Sequence, residues 1–453
     1  MTLRVVRAGE DGYEAARRGL SASAAVPQAR PALVAYAASA GDVAEALSLA
    51  AAEGVQVAVR SGGHSLAFSA LRDGVLALDL SGLDAIEVDA AARTAMVGPG
   101  ATSLSAARSL AGSGLAFPVG HKSGVGLGGF LLAGGNGWNQ GRWGSAVESV
   151  LAADVVLADA TTARLCADSD PEAFALLRGA GPGFPAVVTA FHVRLWDEPA
   201  VHRRAVTFRA AHVHEASAWA DDLRAAIGPD VELTVFVTAR GSVEGLDDVA
   251  VTVSATAYGR DPDDARALLG AAVPAAALDL AHSVEDGPST ICAMLESQTL
   301  PTDLGQASQQ AWCRAAYADL VPPLVEVMEK APTTYASVLV SSSSFRRAEP
   351  PVAGCAYLPL GTMTVAPYAS WEPGAPGDGA ERANRAWTEE MVLAVRDHWT
   401  GHYVGEVDLR ATPERLAGCF RPGVLDRVEA LRDRLDPRRL LAGYPVEGSR
   451  DPD

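Results

Sequence analysis

Residues Arg60–Ser65 read RSGGHS and follow an apolar run, VQVAV, at Val55–Val59. Two successive glycines, Gly62 and Gly63, free the backbone to turn its N–H groups toward one point. That makes a concave anion site, suited to a pyrophosphate, without a cluster of cations. His64 comes next, an imidazole placed where the backbone is least encumbered, with the Ser65 hydroxyl beside it. A tight strand-to-helix turn with a solvent-facing histidine has the same sequence, so the loop by itself leaves both readings open.

A second stretch, Val119–Gly144, carries ten glycines, among them Gly120, Gly126, Gly128, Gly129, Gly134 and Gly137. Glycine loses the most backbone freedom on folding, so this density points to close approach of the backbone to a ligand. Gly124, Gly126 and Gly129 spell GxGxxG, the fingerprint of a nicotinamide-dinucleotide site. That site needs a long helix after it, and only FLLA separates Gly129 from Gly134. A third stretch, LLRGAGPGFPAVVTAFHVRL, runs from a glycine turn into a strand and offers a second wall for a cofactor cleft. SSSSF (Ser341–Phe345) has no acid or histidine near it in sequence, which leaves a serine-hydrolase reading without support.

Several elements must hold these loops. From Ala32 to about Trp196, short strands, helices and glycine turns alternate. They comprise a strand over Ala32–Ala38, a capped amphipathic helix ending at Gly54, strands VQVAVR and GVLALDLSGL, and a hairpin in AIEVDAAARTAMVGPG. The helix TSLSAARSLAGSG and strands VLAADVVLAD and VVTAFHVRLW follow. Beyond Trp196, AVTFRA, ELTVFVTAR and VAVTVSATAYG alternate as half-buried antiparallel strands do, and DPDDARALLGAAV reads as a helix capped at Asp261. Proline-rich turns, RRAEPPVAG and WEPGAPGDGAERAN, break the later part. The last helix sets Val424, Leu425, Val428, Leu431 and Leu435 on one face and stops at Asp436-Pro437. The expected class is α+β, with mixed sheets and helices first and an antiparallel sheet covered by helices after.

Bulk properties narrow the partners. A net charge of −18 argues against nucleic acid and against an anionic membrane surface. No apolar stretch approaches the length of a membrane span or a secretory leader, so the expectation is a cytoplasmic chain. Five cysteines lie far apart without metal-ligand spacing, and no metal is expected. Lys122 and Lys330 are the only lysines.

Taken together and in order, VAVRSGGHS, GVLALDLSGLDAIEVDAAARTAMVGPGA, GLAFPVGH, GVGLGGFLLAGGNGW, RGAGPG and VVTAFHVRL resemble the FAD-linked oxidoreductases of the berberine-bridge-enzyme-like group. That group has the vanillyl-alcohol-oxidase type of fold, with a PCMH-type FAD-binding domain. The resemblance covers about Pro31 to Trp196, weakens between 200 and 380, and returns in the C-terminal helix. It implies an FAD-binding domain over residues 1–198, a substrate domain over 199–400, and a segment over 401–453 that returns to the first. By the same resemblance Arg60, Ser61, Gly62, Gly63, His64 and Ser65 wrap the FAD pyrophosphate, and His64 bonds covalently to the methyl carbon on the benzenoid side of the flavin. The cofactor set is completed by Gly120, His121, Val125, Gly126, Gly128, Gly129, Gly134, Gly137 and Val188.

Three positions depart from the group's pattern. Lys122 stands where some members carry a cysteine that binds flavin a second time, so a single link is expected. HYVGEVDL keeps Tyr403, the expected catalytic base, but has Gly405 where asparagine is common. Pro185 replaces a commoner glycine. The implied activity is hydride transfer from an alcohol, sugar or amine C–H of a small substrate to flavin N5, with molecular oxygen as acceptor. The rival readings are a non-redox cyclase or binding protein on the same fold and an NAD(P)-dependent dehydrogenase. Oligomeric state is not legible.

Overall fold

The computed structural model describes residues 3–270, 273–297, 303–342, 354–374 and 379–446. Residues 343–345 of SSSSF and parts of both proline-rich turns lie outside them.

Local rules shape the first part of the chain. Ser39 accepts the Asp42 N–H at 3.1 Å and opens the helix Ala40–Glu53, and Gly54, at φ 69°, closes it. Strand Leu76–Asp79 lies parallel to Val57–Arg60 on one side and to Leu33–Tyr36 on the other, with Arg4–Arg7 as an antiparallel edge. The inner strands are apolar on both faces because both are covered. Leu33, Ala35, Leu76 and Leu78 pack against Val43, Ala46, Leu47 and Ala50 of the helix, while Val34 and Ala77 meet Leu20, Phe68 and Leu71.

A second sheet has five antiparallel strands in the order Ile86–Asp89, Thr94–Val97, Val187–Arg194, Val150–Val156, Thr162–Cys166. The expected hairpin is its edge, with Ile86 opposite Val97 and Asp89 opposite Thr94. A short strand, Leu115–Ala116, pairs with Trp196–Asp197.

The third sheet has nine strands among the described residues and draws on Ala200–Gly401. Its central strands show why the alternation matters. Val231, Leu233, Val235 and Val237 pack with residues of the helices Val213–Ala226 and Tyr317–Met328. Glu232, Thr234 and Phe236 point to the opposite face, where they line a cavity. The edge strand Ala281–Ser289 escaped the sequence reading, because AHSVEDGPS has no apolar alternation and contains Gly287 and Pro288. Such residues are tolerated at an edge, where one side of the strand needs no partner.

The helix Val424–Leu435 ends at Asp436, as the sequence predicted. Asp436 is fully buried and also starts the return of the chain, accepting the N–H groups of Leu440 at 2.8 Å and Leu441 at 2.9 Å. The returning segment then joins the first sheet: Val57 N–H donates to Leu440 O at 2.7 Å, and Ala442 N–H to Val57 O at 2.8 Å. All five cysteines are free. Among the described residues no helix is long and apolar enough to cross a membrane.

Asp436→Ala leaves two buried N–H groups without acceptors. It is expected to lower the free energy of unfolding by about 1–3 kcal/mol in urea titrations, and Asp436→Asn by less, since one acceptor oxygen remains.

Candidate functional site

A cavity of about 650 Å³ lies where the loop after Val57–Arg60, the glycine-rich stretch and the polar face of the nine-stranded sheet meet. Sites that hold cofactors and small molecules run from roughly 300 to 1,000 Å³.

Its first wall is two loops in backbone contact. A Cβ built on Gly126 would fall on the backbone nitrogen of Gly62 and 2.6 Å from Ser61 Oγ, and one on Gly62 would strike Gly126 in return. Only glycine at both positions lets the loops close. The loop is anchored behind this contact. Arg60 Nη1 pairs with Asp79 Oδ1 at 3.0 Å, and Ser61 donates to the Pro99 carbonyl. Arg60 Nε stays buried with no hydrogen-bond partner among the described residues. At Gly129 a Cβ would meet nothing within 4 Å, so the backbone there borders open space. Such a cradle, with exposed backbone and an orphaned guanidinium nitrogen, fits a phosphate-bearing cofactor.

His64 lies beside Gly124. Burial, reinforced by Lys122 and Arg60, lowers its pKa to about 4, against a hydrogen bond to the Gly124 backbone that acts the other way. The imidazole is therefore neutral near pH 7, with a nitrogen lone pair available.

Gly63, Ser65, Gly120, His121, Val125, Gly128 and Val188 also border the cavity. Gly134 and Gly137 do not, which corrects their expected place against the cofactor. A Cβ on Gly134 would enter the Tyr357 ring, and one on Gly137 would meet the Val119 carbonyl; they are packing glycines. The GxGxxG run opens a helix of only seven residues, Leu127–Ala133, which is not the long helix a nicotinamide-dinucleotide site requires. His192 pairs with Asp154 at 2.8 Å, away from the cavity.

Lys122 borders the cavity, its Nζ 4.9 Å from the centroid of the Tyr368 ring, and burial lowers its pKa. The Tyr403 hydroxyl accepts the Gly135 N–H at 3.2 Å. Burial and then the Glu406 carboxylate push this phenol well up, against the pull of the Gly135 and Asn136 backbone. Tyr403 is thus a neutral phenol at ordinary pH.

The opposite wall is the polar sheet face, with Arg203, Glu232, Thr234, Ser254, Thr256 and Tyr368. Glu232 accepts from Tyr258 at 2.9 Å and from the Gln140 N–H at 3.3 Å, and lies 3.7 Å from His121 Nε2. Sequence reading passed over Glu232 and Glu406, since isolated acids in an acidic chain carry no local signal. The alternation in VELTVFVT was the one clue, because it sets a charged residue on the face away from the helices. Among the described residues no group of three or more His, Cys, Asp or Glu could hold a metal ion.

Residues 31–165 match the model of an FAD binding domain. The whole chain superposes on the 6-hydroxy-D-nicotine oxidase of Arthrobacter nicotinovorans with a TM-score of 0.82 at 23% identity, covering 99% of this chain and 98% of that one. It superposes on the berberine-bridge-like protein 1 of Physcomitrella patens with a TM-score of 0.81 at 17% identity, covering 100% and 98%. Residues 31–165 thus form an FAD-binding domain, and the whole chain shares the fold of these two proteins. In sequence it is 35% identical over 211 residues to the FAD-linked oxidoreductase janO of Penicillium janthinellum, 46% of this chain and 47% of that one. It is 38% identical over 170 residues to the (R)-6-hydroxynicotine oxidase of Paenarthrobacter nicotinovorans, 38% and 37% of the two chains. The aligned region thus spans half or less of these curated relatives.

Gly126→Ala is expected to force the two loops apart. The purified variant should carry less than a tenth of the wild-type flavin per chain, measured as the ratio of visible to 280 nm absorbance, and should melt at lower temperature.

Proposed function

We propose that this chain is an FAD-dependent oxidoreductase that oxidises a C–H bond next to a nitrogen or oxygen of a small substrate, with molecular oxygen as the acceptor and hydrogen peroxide as the product. One observation carries the reading: the glycine cradle with its neutral histidine and the polar sheet face border one and the same cavity. FAD bound there supplies the hydride acceptor. Backbone groups of Gly62, Gly63, Gly126 and Gly129 would hold its phosphates, and the His64 nitrogen would bond to the methyl carbon of its ring, that carbon losing a proton and the ring taking up two electrons that molecular oxygen then removes. Lys122 offers an amine where a second, cysteinyl link would need a thiol, so the attachment is single.

On the substrate side, Arg203, Glu232, Thr234, Ser254, Thr256 and Tyr368 offer both donors and acceptors. Such a surface suits an amine or a polyhydroxylated substrate. Two similar proteins bear names of those kinds, the nicotine oxidase above and a chitooligosaccharide oxidase that superposes with a TM-score of 0.80 at 17% identity. The flavin domain and the substrate sheet correspond to residues 1–198 and 199–400, with 401–453 completing the former.

The test is an acid-precipitated sample run on a denaturing gel under ultraviolet light. Wild type gives a fluorescent band at the full-length position, and His64→Ala gives a dark band with yellow supernatant. A dark wild-type band sinks the covalent link. Apoprotein mixed with FAD should also acquire the link at one rate between about pH 8 and pH 6. An unperturbed imidazole of pKa about 6.5 would instead slow markedly over that range.

A further inference from the structure

Glu406 has had no part in the reading so far, and Tyr368 only as a polar group of the wall. Tyr368 reaches the cavity from strand Met363–Trp371, and Glu406 from the turn after Tyr403, where its N–H donates to the Tyr403 carbonyl at 3.0 Å. The Tyr368 hydroxyl donates to Glu406 Oε1 at 3.1 Å. One carboxylate oxygen is thereby fixed and the carboxyl plane oriented, which leaves the second oxygen for a ligand. The charged and titratable groups that face Glu406 are Lys122 and His121 from the glycine-rich stretch, Tyr368 from the sheet, Tyr403 from its own turn, and Tyr357, which packs on Tyr403.

We infer that Glu406, oriented by Tyr368, accepts the O–H or N–H proton of the substrate as its neighbouring C–H is oxidised; this rests on the oxidoreductase reading above. The balance is simple. The C–H bond breaks with its electron pair, and hydride passes to the flavin, which is reduced by two electrons. The X–H bond breaks the other way, leaving its pair to form C=X, and its proton goes to the free oxygen of Glu406. Molecular oxygen then takes up the two electrons and two protons as hydrogen peroxide, and Glu406 returns to its carboxylate.

Glu406 suits this task better than Tyr403 for two reasons. A neutral phenol has little affinity for a second proton, whereas a carboxylate is ready to accept one. Burial moreover raises the pKa of Glu406, while the Tyr368 hydrogen bond, Lys122 and His121 restrain the rise. A base is most effective when its pKa approaches the working pH.

The experiment compares wild type, Glu406→Gln, Tyr368→Phe and Tyr403→Phe as yellow holoproteins. Each is mixed anaerobically with 6-hydroxynicotine, glucose and chitooligosaccharides, and bleaching of the flavin is timed from about pH 5 to pH 9. Melting temperatures are taken over the same range. Glu406→Gln should keep its flavin and slow bleaching by about 10²-fold or more, the usual contribution of a general base. It should also lose the acid limb that wild type shows as the carboxylate protonates. Tyr368→Phe should keep that limb at a shifted pH, and Tyr403→Phe should lose less than tenfold.

Melting gives a readout free of turnover. A carboxyl whose pKa is raised by folding gives its full stabilisation below the unfolded value and loses it as pH climbs through the folded one. Glu406→Gln should therefore gain on wild type as pH rises above the ordinary carboxylate pKa of about 4.3. Bleaching of Glu406→Gln at the wild-type rate, parallel melting curves, or a large loss confined to Tyr403→Phe would each overturn the assignment with the oxidoreductase reading intact. A wild-type flavin that no probe bleaches would overturn both.

Discussion

The contact between Gly62 and Gly126 is the constraint on which the site depends. Two backbone segments meet there with no side chain between them, and each excludes a Cβ on the other. The short distance decides where His64 lies, since the imidazole is two residues from one partner and rests beside Gly124, two residues before the other. It also removes water from that corner, and with the two nearby cations it accounts for an imidazole far less basic than usual. Geometry, solvation and nucleophilicity thus follow from one steric fact. Arg60 on Asp79 and Ser61 on Pro99 serve to keep the first loop at the height where that fact applies.

Much of this was legible in the sequence because it rests on short-range rules. The cap at Ser39, the stop at Gly54, the hairpin around residues 90–93 and the break at Asp436 all use interactions within about five residues. The glycine loops were legible for a related reason, since so many costly residues in one stretch call for a compensating contact. What they contact is less visible. Gly134 and Gly137 stand in the same run as Gly126, yet they face Tyr357 and Val119 rather than the cavity, and composition cannot distinguish a packing glycine from a cofactor glycine.

The polar wall was the least legible part. Glu232, Tyr368 and Glu406 come together from positions more than a hundred residues apart at the extremes; the order of strands in the nine-stranded sheet sets the first two on one face, and the turn after Tyr403 brings Glu406 to Tyr368. Tyr403 shows the complementary difficulty. Its type was read as that of a base, but its surroundings, two backbone donors against burial and a nearby carboxylate, determine what its hydroxyl can do. Type and spacing suggest which residues assemble, while protonation depends on the assembled whole.

The pairing of Val57 with Leu441 has a consequence in time rather than in space. Strand Val57–Arg60 leads directly into the loop that bears His64, yet its outer flank is supplied by a segment almost four hundred residues later. On a ribosome the first sheet emerges long before that flank exists. The cavity border at Leu441, Ala442 and Gly443 can form only after the intervening nine-stranded sheet has been made. Cofactor capture is in this sense a late event in the life of the chain, and an incomplete molecule exposes the imidazole before it has anything to hold.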